Sequence, residues 1–274
     1  MTEFDPGAFS RFEFAGWQRK AAGYHAMYSP LSGRVVERLL DAVTARDGAR
    51  LLDIGSGPGY VVAAAQRRGL ETVGLDFAPA MVELARRLHP GCRFEIGDAQ
   101  ALPFGPATFD CVTGNFILHH MPRPERALQE ARRVLMPGGR IGLTAWGTPD
   151  RNRFLGLFDD AVRESAAALP LELPAGPPMA AQDAAYRTQL EETGFEAMAI
   201  QHIRWNQSFA SSADLWDGLL AASVRTAALI ELQPTELQAA IRQEFDALAR
   251  TYSADGGFEV PVEVTLFSGR VPGK

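Results

Sequence analysis

The segment LLDIGSGPGY, residues 51–60, sets an acid, Asp53, in front of three glycines at 55, 57 and 59. The glycines permit a sharp turn and a close approach of backbone to a ligand. The dinucleotide fingerprint G-x-G-x-x-G needs its third glycine at position 60, where this chain has Tyr60. A carboxylate at the mouth of the loop repels a pyrophosphate and attracts an ammonium group. Asp76 stands 21 residues after Gly55 in ETVGLDF, where an acid accepts ribose hydroxyls. Asp98 in GDAQALPF follows the next apolar run. It can accept an adenine amino group, with Ala99 offering its backbone N–H and Phe77 and Met81 flanking the ring. His119 and His120 follow the run FDCVTGNFIL and are candidate general bases, since histidine titrates near neutrality.

These residues need a scaffold that delivers them to one edge. Apolar runs at 50–54, 71–75, 92–96, 109–115 and 139–145 alternate with helical patterns at 58–68, 78–88 and 124–136. Such alternation predicts βαβ crossovers and a parallel sheet covered on both faces. Pro58 suits the first turn of the helix after the glycine loop. Residues 1–14 read as a loose lead-in. Trp17, Ala21, Tyr24 and Tyr28 share one face of a helix over 15–28, which Ser29-Pro30 is expected to break before a second helix reaches Val43. After Trp146 come a helix at 151–168, a Pro-rich stretch at 169–178 and a helix near 182–193. A strand at 195–205, helices at 212–231 and 235–252 and a strand at 258–271 complete the chain. Thr235-Glu236-Leu237-Gln238 has capping-box spacing. The pattern is one α/β core with a helical insertion before its last strand and an N-terminal helical lid.

Composition narrows the partners. The 274 residues carry a formal net charge of −6, which argues against a general nucleic-acid surface. Cys92 and Cys111 offer neither a disulfide framework nor a metal-ligand spacing. No stretch approaches the ~18–20 apolar residues of a membrane span. We therefore expect a cytoplasmic protein with a small-molecule substrate, no nucleic acid, no metal, no membrane span, and a homodimer as an open possibility. A ligand that joins a ribose to a free amino acid satisfies the glycine loop and its acids together: S-adenosyl-L-methionine.

The motifs LLDIGSGPG, GLDFAPAM, GDAQALPF, FDCVTGNFILHH and VLMPGGR, in that order, resemble the class I S-adenosylmethionine-dependent methyltransferases of the small-molecule, UbiE-like type. The resemblance covers residues 30–147. It implies a Rossmann-like, seven-stranded, mostly parallel sheet with helices on both faces, the last strand antiparallel. It implies a lid over 1–45 and a methyltransferase domain over 46–274, with cover segments 146–180 and 206–257. Cofactor contacts would fall on Tyr28, Asp53, Gly55, Ser56, Gly57, Asp76, Phe77, Met81, Asp98, Ala99 and Asn115, with Tyr24 or Tyr28 closing over the methionine end. His119 or His120 would act on the acceptor. The expected reaction is O- or C-methylation of a small, lipophilic or aromatic acceptor. Two alternatives stand beside it: a cofactor-binding protein of this fold that does not methylate, and an enzyme that modifies a macromolecule.

Overall fold

The alternation over residues 50–145 is realised as a parallel ladder. The computed structural model describes residues 4–44, 46–168, 170, 172–177, 183–254 and 257–273. Parts of the expected lead-in, of the 146–180 and 206–257 segments and of the helix start near 182 lie outside the described residues. The strands are β1 (Arg50–Ile54), β2 (Glu71–Asp76), β3 (Arg93–Ile96), β4 (Phe109–Asn115), β5 (Leu135–Trp146), β6 (Glu196–Phe209), β7 (Ser253–Ala254) and β8 (Gly257–Arg270). The helices are α1 (Pro6–Ser32), α2 (Val36–Ala42), α3 (Tyr60–Arg67), α4 (Pro79–Leu88) and α5 (Pro124–Val134), then α6 (Arg153–Glu164), α7 (Asp183–Glu192), α8 (Ser212–Ala222), α9 (Arg225–Glu231) and α10 (Thr235–Ala249).

The sheet order is β3-β2-β1-β4-β5-β8-β6. Pairing is parallel from β3 through β5, and β8 runs antiparallel to both β5 and β6. This is the seven-stranded sheet expected, with the two-residue β7 added against β8. Leu51, Leu52 and Ile54 are all fully buried although successive side chains face opposite ways. That is the signature of a strand covered on both sides. Leu51 joins Leu39 and Leu40 of α2 and Ala64 of α3 in one apolar cluster. Leu52 and Ile54 join Leu128 of α5 and Leu190 of α7 in another. Part of the 1–45 segment is therefore a layer of the core and not only a lid.

Several local expectations are corrected. Asp5 caps α1, accepting from the N–H groups of Gly7 and Ala8 at 2.8 and 3.1 Å, so the lead-in is helical from Pro6. Pro30 does not break this helix. The carbonyl deprived of a partner belongs to Ala26, an exposed residue that water can serve, while Leu31 on the opposite side is fully buried. Pro58 precedes the helix instead of opening it, because Gly59, with φ +85°, is the cap of α3. The helix expected over 212–231 divides at Ser223-Val224. Gln238 does not close a capping box. Its Nε2 donates to the carbonyls of Glu231 and Gln233 and so caps the end of α9.

α1 lies across α8 at very short range. A Cβ built on Gly23 would stand 2.2 Å from the Ala221 carbonyl oxygen, and one on Gly16 2.3 Å from Val224 Cγ1. Behind this crossing, Phe158 of α6, Trp216 of α8 and Phe245 of α10 pack ring on ring. The 206–257 helices thus back the N-terminal helix.

Candidate functional site

The carboxyl ends of β1, β2 and β4 open together where the strand order reverses, the place at which ligands bind in such sheets. The loop after β1 holds Gly55, Gly57 and Gly59 at φ +62°, +49° and +85°. Each angle favours glycine. Ser56 donates its N–H to the Leu75 carbonyl at 3.0 Å, and Gly57 donates its N–H to Asp76 Oδ2 at 2.9 Å. Asp76 Oδ1 takes the N–H of Ala78 at 2.9 Å. A Cβ on Gly55 would meet Ile117 Cδ1 at 2.2 Å, whereas one on Gly57 would meet nothing within 4 Å. Gly57 therefore presents bare backbone to open space.

That space is two adjoining cavities that share Gly55, Phe77, Ile117 and His120. One, of about 430 Å³, runs past Gly97, Asp98 and Ala99. The other, of about 370 Å³, is bounded by Gly57, Asp76, Met81, Asn115 and Phe116 and roofed by Trp17 and Tyr24 of α1. The structure brings Gly55, Gly57, Asp76, Phe77, Met81, Asp98, Ala99, Asn115 and His120 to one cleft.

Asp53 and Ser56 lie behind the walls. Asp53 is buried and accepts from Thr113 Oγ1 at 2.7 Å. Burial pushes its carboxyl up to about 7; the Thr113 bond opposes the shift and the Asp76 charge adds to it. Burial likewise raises Asp76 to about 6, against the Ala78 and Gly57 N–H bonds and the His120 ring. Among the described residues no lysine or arginine pairs with either acid. A cationic ligand relieves such a pair, and S-adenosylmethionine carries two positive centres, so the donor set fits it.

Tyr28 does not line the cleft, and Tyr24 does. The continuing helix carries Tyr28 into the core, stacked on Tyr24 at 4.8 Å and edge-on to Phe154. Of the histidines, His120 faces both cavities and His119 neither. Burial holds His119 well below its ordinary value, with the neighbouring His120 adding to the shift. No described residue of 146–180 or 206–257 lines either cavity.

Two features escape sequence reasoning. Glu13, fully buried, accepts from Trp17 Nε1 and pairs with His120 Nδ1, both at 3.0 Å. Phe116 holds φ +59°, its N–H bound to Thr144 Oγ1 and its ring stacked on Trp146 at 3.9 Å. A buried acid i,i+4 from a tryptophan marks Glu13 only if residues 6–14 are known to be helical. Nothing in the sequence marks Phe116 as left-handed.

Known proteins share part of this sequence and this fold. A methyltransferase-domain family matches residues 52–143, from β1 into β5. Over these residues the chain is similar to class I methyltransferases of UbiE-like type. A demethylmenaquinone methyltransferase of Renibacterium salmoninarum is 34% identical over 131 residues, 48% of this chain and 55% of that protein. A malonyl-[acyl-carrier protein] O-methyltransferase of Erwinia billingiae is 32% identical over 157 residues, 57% of this chain and 58% of that protein. The chain thus spans little more than half the length of those two curated relatives. The structure of phosphoethanolamine N-methyltransferase 2 of Haemonchus contortus, solved with S-adenosyl-L-methionine, superposes with a TM-score of 0.58 at 17% identity. It covers 96% of this chain and 60% of that one, and it shares the fold. No described helix is long and apolar enough to cross a membrane.

Proposed function

We propose that the chain is an S-adenosylmethionine-dependent methyltransferase acting on a small, lipophilic or aromatic acceptor, with O- or C-methylation favoured. The observation that carries this reading is the cleft itself. Bare Gly57 backbone, Asp76 and Asp98 lie at the carboxyl edge of β1 to β3, with the buried, raised carboxyl of Asp53 behind the wall.

The bound cofactor supplies an electrophilic methyl on a positively charged sulfur, already joined to a good leaving group. Asp76 would hold the ribose, Asp98 and Ala99 the adenine, and the glycine loop the amino-acid end. The remaining work of the chain is positioning, which contributes up to ~7–11 kcal/mol when reacting atoms are held in line. Trp17, Tyr24, Phe116 and Ile117 form an apolar wall beside Met81 and Phe77. That lining suits a ring or an alkyl chain and excludes water from the reaction line.

The test is incubation of the purified chain with S-adenosylmethionine carrying a deuterated methyl, plus a small-molecule extract, followed by mass spectrometry. A labelled small molecule, absent with Asp76→Ala, supports the reading. Tight cofactor binding without transfer turns it toward the non-methylating alternative, and label on protein or nucleic acid toward the macromolecular one. No binding overturns it.

A further inference from the structure

His120 is held from three sides. Its Nδ1 lies 3.0 Å from Glu13 Oε2. The Trp17 ring stands edge-on at 4.9 Å between centroids, and the His119 ring lies at 4.0 Å. The same Glu13 oxygen accepts the Trp17 indole N–H. An indole N–H only donates and an ionised carboxylate oxygen only accepts. With Glu13 ionised, the proton between it and His120 sits on Nδ1, and in the neutral ring Nε2 keeps its lone pair. Among the described residues Nε2 meets no hydrogen-bond partner, while the ring lines both cavities.

A fully buried acid is costly unless its bonds are used. Glu13 Oε1 is left without a partner. A purely structural acid at this point of α1 would be better replaced by an apolar residue, since Phe9 and Trp17 on the same face are buried. The arrangement makes sense as an orienting group, because a second partner on a histidine selects the tautomer and the ring angle.

We propose that Glu13 is a positioning residue: it fixes His120 as the Nδ1–H tautomer, so that Nε2 serves as base for an acceptor that must lose a proton, a hydroxyl or an acidic C–H. This rests on the methyltransferase reading above. The acceptor proton goes to His120 Nε2, and the electron pair it leaves forms the bond to the methyl carbon. The pair of the broken carbon–sulfur bond stays on sulfur, giving S-adenosylhomocysteine, and the imidazolium returns its proton to solvent. Because Glu13 belongs to α1, the base is complete only when this helix lies on the cleft.

Three charged or titratable groups face the His120–Glu13 pair: Asp76 from the end of β2, His119 beside the ring, and Arg225 of α9, which acts electrostatically on Glu13.

The experiment is nitrogen-15 NMR of histidine-labelled protein, for the unmodified chain, Glu13→Gln, Glu13→Leu and Trp17→Phe, each with and without S-adenosylhomocysteine. The unmodified chain should show protonated Nδ1 and bare Nε2 at His120. Glu13→Gln keeps an acceptor but not the charge. It should retain the tautomer while the His120 titration midpoint falls by about one pH unit. Glu13→Leu should lose the tautomer preference, and Trp17→Phe should keep it. Once an acceptor is in hand, the acid limb of kcat/KM should move to lower pH in Glu13→Gln by the same amount. Protonated Nε2 in the unmodified chain, or a tautomer unchanged in Glu13→Leu, overturns the proposal. So does a midpoint unmoved in Glu13→Gln, or a Trp17→Phe effect equal to Glu13→Leu. Failure of the unmodified chain to bind S-adenosylhomocysteine would instead overturn the methyltransferase reading, with the tautomer result still deciding the role of Glu13.

Discussion

Gly57 donates its backbone N–H to Asp76 Oδ2 at 2.9 Å, so the glycine loop after β1 and the acid ending β2 form one unit. Asp76 sits at 6% exposure with Ala78 holding its other oxygen. Each oxygen keeps a lone pair for a ligand hydroxyl. A change at Asp76 must therefore reach both the ligand and the loop.

Asp76→Ala should weaken S-adenosylhomocysteine binding about 100-fold, since hydrogen bonds to a charged group contribute ~1.5–3 kcal/mol each. Asp76→Asn, which keeps one acceptor, should fall between. Isothermal titration calorimetry reads both. Affinity within threefold of the unmodified chain in Asp76→Ala would remove the ribose role.

Asp53 predicts a pH signature. Its folded value is raised from 3.8 to about 7, chiefly by burial. The protonated acid suits the fold and the ionised acid does not. Its contribution is fully present below about pH 4 and is lost as pH rises through about 7. Replacing it with asparagine removes that loss. The stability of Asp53→Asn minus that of the unmodified chain, without ligand, should rise by on the order of 2–4 kcal/mol between pH 4 and pH 8. Urea titrations at a series of pH values measure the difference. A flat difference would mean that Asp53 is not desolvated. The same substitution should weaken S-adenosylhomocysteine binding by roughly tenfold, since it removes the charge attracting the ammonium.

The sheet and the strand-end residues that line the cleft were legible because short-range rules govern them. Asp76 and Asp98 are placed by the strands they follow, and Gly55, Gly57 and Gly59 by the turn that each left-handed angle requires. The acceptor half is written in tertiary contacts. Whether Tyr24 or Tyr28 faces the ligand depends on how α1 is rotated against α8, which Gly16 and Gly23 decide by contact with Val224 and Ala221. Glu13 meets His120 across 107 residues of chain, and no local pattern joins them. Glu13 lies in a helix whose start the sequence disguises, because Asp5 is followed by a proline and glycine that look like a loop.

The glycines of the loop should separate by function. Gly57→Ala adds a methyl into open cleft space at φ +49°, so the fold loses only about 1 kcal/mol of backbone preference while the ligand meets the new atom. Gly59→Ala brings its Cβ to 2.5 Å from Phe94 Cζ at φ +85°, adding a core clash to the strain. Thermal melts should show the larger loss in Gly59→Ala, on the order of 2–4 kcal/mol. Calorimetry should show that Gly57→Ala, although better folded, loses more than tenfold in S-adenosylhomocysteine affinity. Equal melting losses would contradict the open space drawn at Gly57.

The α1–α8 crossing offers the test of how the lid is held. Gly23→Ala would press a methyl to 2.2 Å from the Ala221 carbonyl oxygen, and backbone cannot give way as a flexible side chain can. α1 must shift outward, carrying Trp17 and Tyr24 off the cleft and separating Glu13 from His120. The opposite face of the sheet, where Leu52, Val112 and Ile141 pack with Leu128 of α5, is a separate cluster with no α1 residue in it. We expect hydrogen exchange to rise along α1 and α8 with little change in β1 and β4, and S-adenosylhomocysteine affinity to drop several-fold. Gly33→Ala, where a Cβ would meet nothing within 4 Å, is the control and should leave both unchanged. If Gly23→Ala exchanges like the unmodified chain, the helices are not in the close contact described and the cleft is roofed some other way.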